Sequence, residues 1–176
     1  MMLRQSLKTI PRQLRRTITT YAKQDQLFIH PKSSNKHLLS FSKNPDSLSI
    51  GEFYSKNPES PDLVINSDNF ISTNPEFLKL LHQVIKDNIH DDFTYSIESN
   101  SYADEHLPVY DLRKIPNYQR QPEIEDVFGY VRVDSEGGIM NETYQINDFY
   151  KIVNVDGPLK LSEKIHEELV GQLDGG

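Results

Sequence analysis

The stretch Val127-Phe128-Gly129-Tyr130-Val131-Arg132-Val133-Asp134-Ser135-Glu136-Gly137-Gly138 decides the fold class. Val127, Gly129, Val131 and Val133 alternate with Phe128, Tyr130 and Arg132, the two-residue period of a strand with one face inward. The polar run to Gly138 closes that strand in a turn. Gly129 inside it predicts a bulge or a close backbone approach. Downstream, Phe149, Lys151, Val153 and Val155 alternate with Tyr150, Ile152 and Asn154, which predicts a second strand. Asp156-Gly157 reads as a hairpin turn, and Leu159 to Leu161 as a brief third strand. Ser162 is placed to cap a last helix that turns Ile165, Leu169, Val170 and Leu173 inward.

Upstream of the strand, Pro108 to Pro122 holds three prolines in fifteen residues and predicts extended chain laid over a core. Thr73 and Asn74 offer caps and Pro75 a first turn for a helix with Phe77, Leu78, Leu81, Val84, Ile85 and Ile89 on one face. Lys79, His82, Gln83, Lys86, Asp87 and Asn88 are expected on its water face. Residues 93–105 fit a second helical or irregular segment. The expected class over residues 74–174 is α+β: a small antiparallel β-meander packed with two or three helices, preceded by an extended N-terminal arm.

That arm spans residues 22–73, rich in Ser, Asn, Asp, Pro and Lys, with short apolar islands at Leu27-Phe28-Ile29, Leu38-Leu39-Ser40-Phe41 and Leu63-Val64-Ile65. It reads as polar and partly ordered, wrapping its own domain or docking on a partner. Ser42-Lys43-Asn44-Pro45-Asp46-Ser47 recurs as Ser55-Lys56-Asn57-Pro58-Glu59-Ser60, and the favoured reading of both is turn punctuation. Ser49-Ile50-Gly51-Glu52 has capping-box spacing and predicts a short helix through Tyr54.

Ahead of the arm, residues 1–24 hold Arg4, Lys8, Arg12, Arg15, Arg16 and Lys23, with no acid before Asp25. Leu3, Leu7, Ile10, Leu14, Ile18 and Tyr21 fall on one helical stripe, and Ser6, Thr9, Thr17, Thr19 and Thr20 complete an Arg-rich, hydroxyl-rich composition. This predicts a mitochondrial transit peptide over residues 1–21, cleaved between 16 and 22. Arg16-Thr17-Ile18 before Thr19 resembles a processing-peptidase pattern. A membrane potential would draw each of its cations inward by about 2.3 kcal/mol per 100 mV.

Without those 24 residues the balance changes. Six of the 19 Lys and Arg leave and none of the 26 Asp and Glu, so 13 cations face 26 acids, a net of −13 against −7 for the whole chain. Such a surface repels phosphate backbones, so nucleic-acid binding is not expected. Cysteine is absent, which removes disulfides, thiol nucleophiles and thiolate metal ligation and makes the matrix the expected compartment. Mean hydropathy is −0.62, and no run approaches the ~18 apolar residues of a membrane span.

Catalytic signatures are sparse. His82 and His90 stand eight apart, about 12 Å along a helix, too far to share an ion. His90-Asp91-Asp92 offers only loose ligation. No phosphate loop or nucleophile elbow occurs. Asp111, Glu123, Glu125 and Asp126 are carboxylates that could converge. The segment 111–122 is irregular, aromatic and arginine-bearing, features of protein–protein anchor points. Its plainer reading is a covering loop tied to the sheet by Asp–Arg contacts. Asp111, Arg113, Tyr118, Arg120, Tyr130 and Arg132 form the candidate interaction surface, with no catalytic residue, cofactor or metal expected.

From residue 74 to 173, the order of motifs, with Ile115-Pro116-Asn117-Tyr118 followed by Pro122-Glu123-Ile124-Glu125-Asp126-Val127-Phe128-Gly129-Tyr130-Val131-Arg132-Val133-Asp134, resembles fungal mitochondrial proteins of no assigned activity, the maintenance of telomere capping protein 3 type. The resemblance implies a mitochondrial address and carries no catalytic residues over. The expected function is that of a soluble mitochondrial accessory or interaction protein, with a partner in respiratory-complex assembly or mitochondrial translation. The alternative is a small metal-free, thiol-independent matrix enzyme using the groups around Asp111–Arg120 and Tyr130–Arg132.

Overall fold

Asn74 sets the frame of the molecule in a computed structural model that describes residues 17–114 and 121–175. Its side-chain oxygen accepts the Glu76 N–H at 3.1 Å, Pro75 fills the first turn, and helix α1 runs Pro75–Asn88. The same side chain donates to the Ser49 carbonyl at 3.0 Å, tying the helix start to the chain before it. Phe77, Leu81, Val84 and Ile85 are buried, as their spacing predicts.

His82 departs from expectation. Placed on the water face by the sequence, it is only 6 % exposed, with Nδ1 at 2.9 Å from the Tyr144 hydroxyl. Burial lowers its pKa to about 4, so the folded chain holds the neutral ring while the unfolded chain takes up a proton below about 6.5. This contribution is therefore present above pH 6.5 and is lost as pH falls toward 4, by about 3 kcal/mol in all. His82→Gln is expected to flatten the fall in urea midpoint across that window; an unchanged slope would assign it to other groups.

The N-terminal stretch is a folded sheet. Strands β1 (Thr19–Thr20), β2 (Phe28–Pro31), β3 (Lys36–Ser40), β4 (Gly51–Tyr54) and β5 (Phe70–Thr73) pair in sequence order, all antiparallel. Ile29, Leu39 and Phe53 face the core from successive strands and are buried. The arm expected over residues 22–73 is thus corrected to an ordered five-stranded meander. Strands of two to five residues, of which β1 and β5 contain no buried residue, leave most of the sequence polar, so the apolar content reads as isolated islands. The short helix expected from Ser49 is likewise replaced by β4, where Glu52 pairs with Lys32 instead of capping a turn.

The repeated hexapeptides are turns with the same wiring. Ser42 Oγ accepts the Asn44 N–H at 2.9 Å, and Ser55 Oγ accepts the Asn57 N–H at 3.1 Å. Each turn closes from the later Ser N–H to the Asn carbonyl, at 3.2 and 3.3 Å. A buried histidine holds each one. His30 Nε2 lies 2.8 Å from the Ser42 carbonyl and His37 Nε2 lies 3.1 Å from the Ser55 carbonyl, so both nitrogens carry the proton and donate.

The second sheet has the order β6 (His106–Tyr110), β7 (Val127–Val133), β8 (Ile139–Ile146), again antiparallel. Strand β7 occupies the predicted residues, and the turn after it leads into β8. At Gly129 a Cβ would stand 2.3 Å from the Gln145 carbonyl oxygen and 2.9 Å from the Tyr144 ring, which is the close approach the sequence foretold. The second strand expected over 149–155 shrinks to β9 (Val153–Asn154), paired with β10 (Gly157–Pro158) around a Val155-Asp156 turn. Gly157 takes a φ of +117° there, a conformation that favours glycine. Leu159 to Leu161 is not a strand; Leu159 and Leu161 are buried as loop residues.

Helix α2 (Phe93–Ser99) and helix α3 (Glu163–Asp174) complete the fold. Asp92 accepts the Thr94 N–H at 2.9 Å to cap α2, and its other oxygen receives the Ser162 hydroxyl. Ser162 therefore stands at the start of α3, as expected, but its hydroxyl fastens the two helix starts together. One apolar core runs from Tyr21 through Phe53, Phe77 and Val131 to Leu173. Among the described residues, both larger sheets and the three helices share it; α1 packs Phe77 on Phe41, just past β3, and His82 on Tyr144 of β8. The class is α+β, antiparallel meanders packed with three helices. Among the described residues no helix is long and apolar enough to cross a membrane.

Candidate functional site

Antiparallel pairing of β6 with β7 brings Asp111 and Asp126 side by side. Tyr110 is opposite Val127, and the Asp111 N–H donates to the Asp126 carbonyl at 2.9 Å. Two residues on, Arg113 folds back. Its Nε donates to both Asp111 oxygens, at 3.0 and 2.8 Å, its Nη2 also bonds Asp111, and Nε stands 3.5 Å from Asp126. The remaining donors go to backbone: Nη1 to the Gly157 carbonyl at 2.8 Å and Nη2 to the Lys151 carbonyl. Tyr150 donates its hydroxyl to Asp111 at 3.1 Å, and Asn154 donates its amide to Asp126 at 2.9 Å.

This is a closed network. The Arg113 and Asp111 side chains are 2 % and 0 % exposed. Burial works against the guanidinium charge, but the hydrogen bonds from Arg113 to Asp111, with the neighbouring charges, outweigh it and hold its pKa above the ordinary value. Burial raises Asp111 despite the opposing pull of Arg113. Burial likewise keeps the Tyr150 hydroxyl protonated far above its usual range, so it is a donor rather than a phenolate. Two carboxylates around one guanidinium, every strong donor engaged, make a rigid tie between β6, β7 and the β9–β10 hairpin.

The candidate surface residues therefore separate. Asp111 and Arg113 lie inside the protein, a correction to their expected place on an interaction surface. The cause is the β6–β7 register, which puts a second carboxylate beside the first and makes burial of the arginine tolerable. The plainer reading of the segment, Asp–Arg contacts tying it to the sheet, describes Asp111, Arg113 and Asp126. Tyr118 and Arg120 lie outside the described residues, as does the Ile115–Tyr118 motif. Tyr130, 37 % exposed, and Arg132 face outward from β7. Arg132 is six residues from Asp126, about 20 Å along a strand, so it stands apart from the buried Asp111–Arg113 pair.

Of the other acids expected to converge, Glu123 pairs with Lys114 at 2.8 Å and Glu125 with Lys151, both on the surface. Tyr150 and Asn154 join the network unforeseen; the alternation from Phe149 to Val155 drew attention to strand pairing instead. Arg113 also forms part of the floor of an open cleft of about 410 Å³, with Tyr21, Ile65 and Gly157, whose rim carries Lys23, Lys160, Asp25 and Asp156. Its opposed charges favour no single ligand class. Among the described residues no group of three or more His, Asp or Glu is placed to hold a metal ion.

A different feature faces solvent. Asn147 donates to the carbonyls of Ile124 and Val127, both at 2.8 Å, and accepts the Phe149 N–H at 3.1 Å. Around this amide, Ile124, Ile146 and Phe149 are 51, 55 and 67 % exposed. Tyr130 is paired with Gln145 and Ile146 with Gly129, so Tyr130 projects from the other face of the sheet. Three large apolar side chains held outward by one buried asparagine are a costly arrangement for a surface with no contact to make.

No family model, no curated protein and no solved structure matches this chain.

Proposed function

We propose that the protein is a non-catalytic accessory factor of mitochondria that works by binding a protein partner through Ile124, Ile146 and Phe149. The observation that carries this reading is the division of labour between the two clusters. The polar groups best suited to chemistry are spent on one another inside, while the apolar side chains stand outside around Asn147. An enzyme built on Asp111 and Arg113 would need those groups free for substrate. The leader composition and the resemblance to fungal mitochondrial proteins support the address. With 13 cations against 26 acids beyond residue 24, the favoured partner has a basic surface, in a respiratory-complex assembly intermediate or the mitochondrial translation apparatus.

Native fractionation of mitochondria with mass spectrometry tests this. The wild-type chain is expected in an assembly larger than itself. Phe149→Asp is expected to weaken that association by at least roughly 30-fold, the loss typical of an aromatic anchor, and to migrate alone with an unaltered melting curve. A wild-type chain that migrates alone would overturn the proposal.

A further inference from the structure

The folded body begins earlier than the leader composition ends. Thr19 and Thr20 form β1 on the edge of the first sheet, opposite Ile29 and Phe28. The next residue, Tyr21, is 3 % exposed and belongs to the core. Its N–H donates to the Leu27 carbonyl at 2.8 Å, its carbonyl accepts the Gln24 N–H at 3.1 Å, and its hydroxyl accepts the Ile65 N–H at 3.1 Å. Thr17 and Ile18 are exposed, Ile18 by 42 %. Tyr21, which on sequence alone extends the apolar stripe of a cleavable helix, is a structural residue of the mature fold.

We propose that the leader is removed at a peptide bond between Arg16 and Thr19, so that Thr19, Thr20 and Tyr21 remain with the body. This rests on reading the N-terminal residues as a mitochondrial leader, and narrows the span of 16–22 that composition allows. The step is hydrolysis: one water adds across one amide, leaving a carboxylate on the leader and a new amine on the body. Bonds at Thr19–Tyr21 are engaged in the sheet edge and the core once the chain folds, whereas those before Thr19 precede the first strand. A cut at Ala22 would delete β1 and a buried tyrosine that donates or accepts three hydrogen bonds. The Arg16-Thr17-Ile18 pattern lies on the permitted side.

Two measurements test this. Mass spectrometry of the amino-terminal peptide of the protein purified from mitochondria is expected to find a first residue of Thr17, Ile18 or Thr19. A first residue of Thr20, Tyr21 or Ala22 overturns the boundary alone, and an intact leader overturns both the cut and the mitochondrial reading beneath it. In the full chain, Tyr21→Ala is expected to lower the urea midpoint by about 1 M, Tyr21→Phe by less, and Ile18→Ala not at all. Equal midpoints for Tyr21→Ala and Ile18→Ala would remove the structural basis of the proposal.

Discussion

Arg113→Ala is expected to destabilise the protein by about 3–5 kcal/mol, the loss found when one partner of a buried ion pair is removed. The change leaves Asp111 and Asp126 facing each other in the interior with no guanidinium between them. It also strips donors from the Gly157 and Lys151 carbonyls. Against a total stability of roughly 5–15 kcal/mol, the variant should show a far lower urea midpoint or fail to fold. Arg113→Ala combined with Asp111→Asn is the informative companion, because it removes one of the stranded charges. Recovery of part of the loss in the double variant would establish charge burial as the cause. No recovery would assign the effect to the lost backbone contacts instead.

Phe53→Ala is expected to cost about 3–5 kcal/mol, as for other buried aromatic truncations, and its effect is expected to reach the whole molecule. Phe53 is fully buried on β4, with the His37 ring centroid 5.5 Å away, and belongs to the same apolar cluster as Val131 and Leu169. Hydrogen exchange at β7 and α3 should therefore accelerate along with exchange in the first sheet. If the N-terminal sheet were a detachable unit, β7 would keep its protection while β4 lost it. That outcome would separate residues 19–73 from the core to which they contribute.

How much of this was legible in the sequence depends on how long each element is and how one-sided its burial. Helix α1 announces itself because fourteen residues repeat an apolar period behind an Asn-Pro start. Strand β7 does so because its alternation is strict. Strand β8 gave no such signal: lying at the edge of its sheet, it buries neither face fully and reads as mixed polar chain. The first sheet was missed for a related reason, since its strands are too short for a period to accumulate and the turns between them dominate the composition. At the buried network, Asp111 and Arg113 were visible as neighbours, but their depth was not, because arginine and aspartate are ordinarily exposed. Depth was decided by a strand register that delivers Asp126, and by Tyr150 and Asn154 arriving from a distant hairpin. Conversely, the outward placing of Ile124, Ile146 and Phe149 follows from Asn147, whose side chain bonds the backbone of Ile124, Val127 and Phe149.

The twin histidine clasps carry a consequence for folding fidelity. Each ring sits on one strand and grips the carbonyl just beyond the end of the next: His30 of β2 reaches past β3 to Ser42, and His37 of β3 reaches past β4 to Ser55. A strand that slid by one position would swing its ring to the opposite side of the sheet and lose its grip. Because β3 takes part in both, any misalignment of that strand against either neighbour is penalised. The pair thus works as a vernier, gauging the alignment of three ribbons too brief to align themselves by hydrophobic pattern alone.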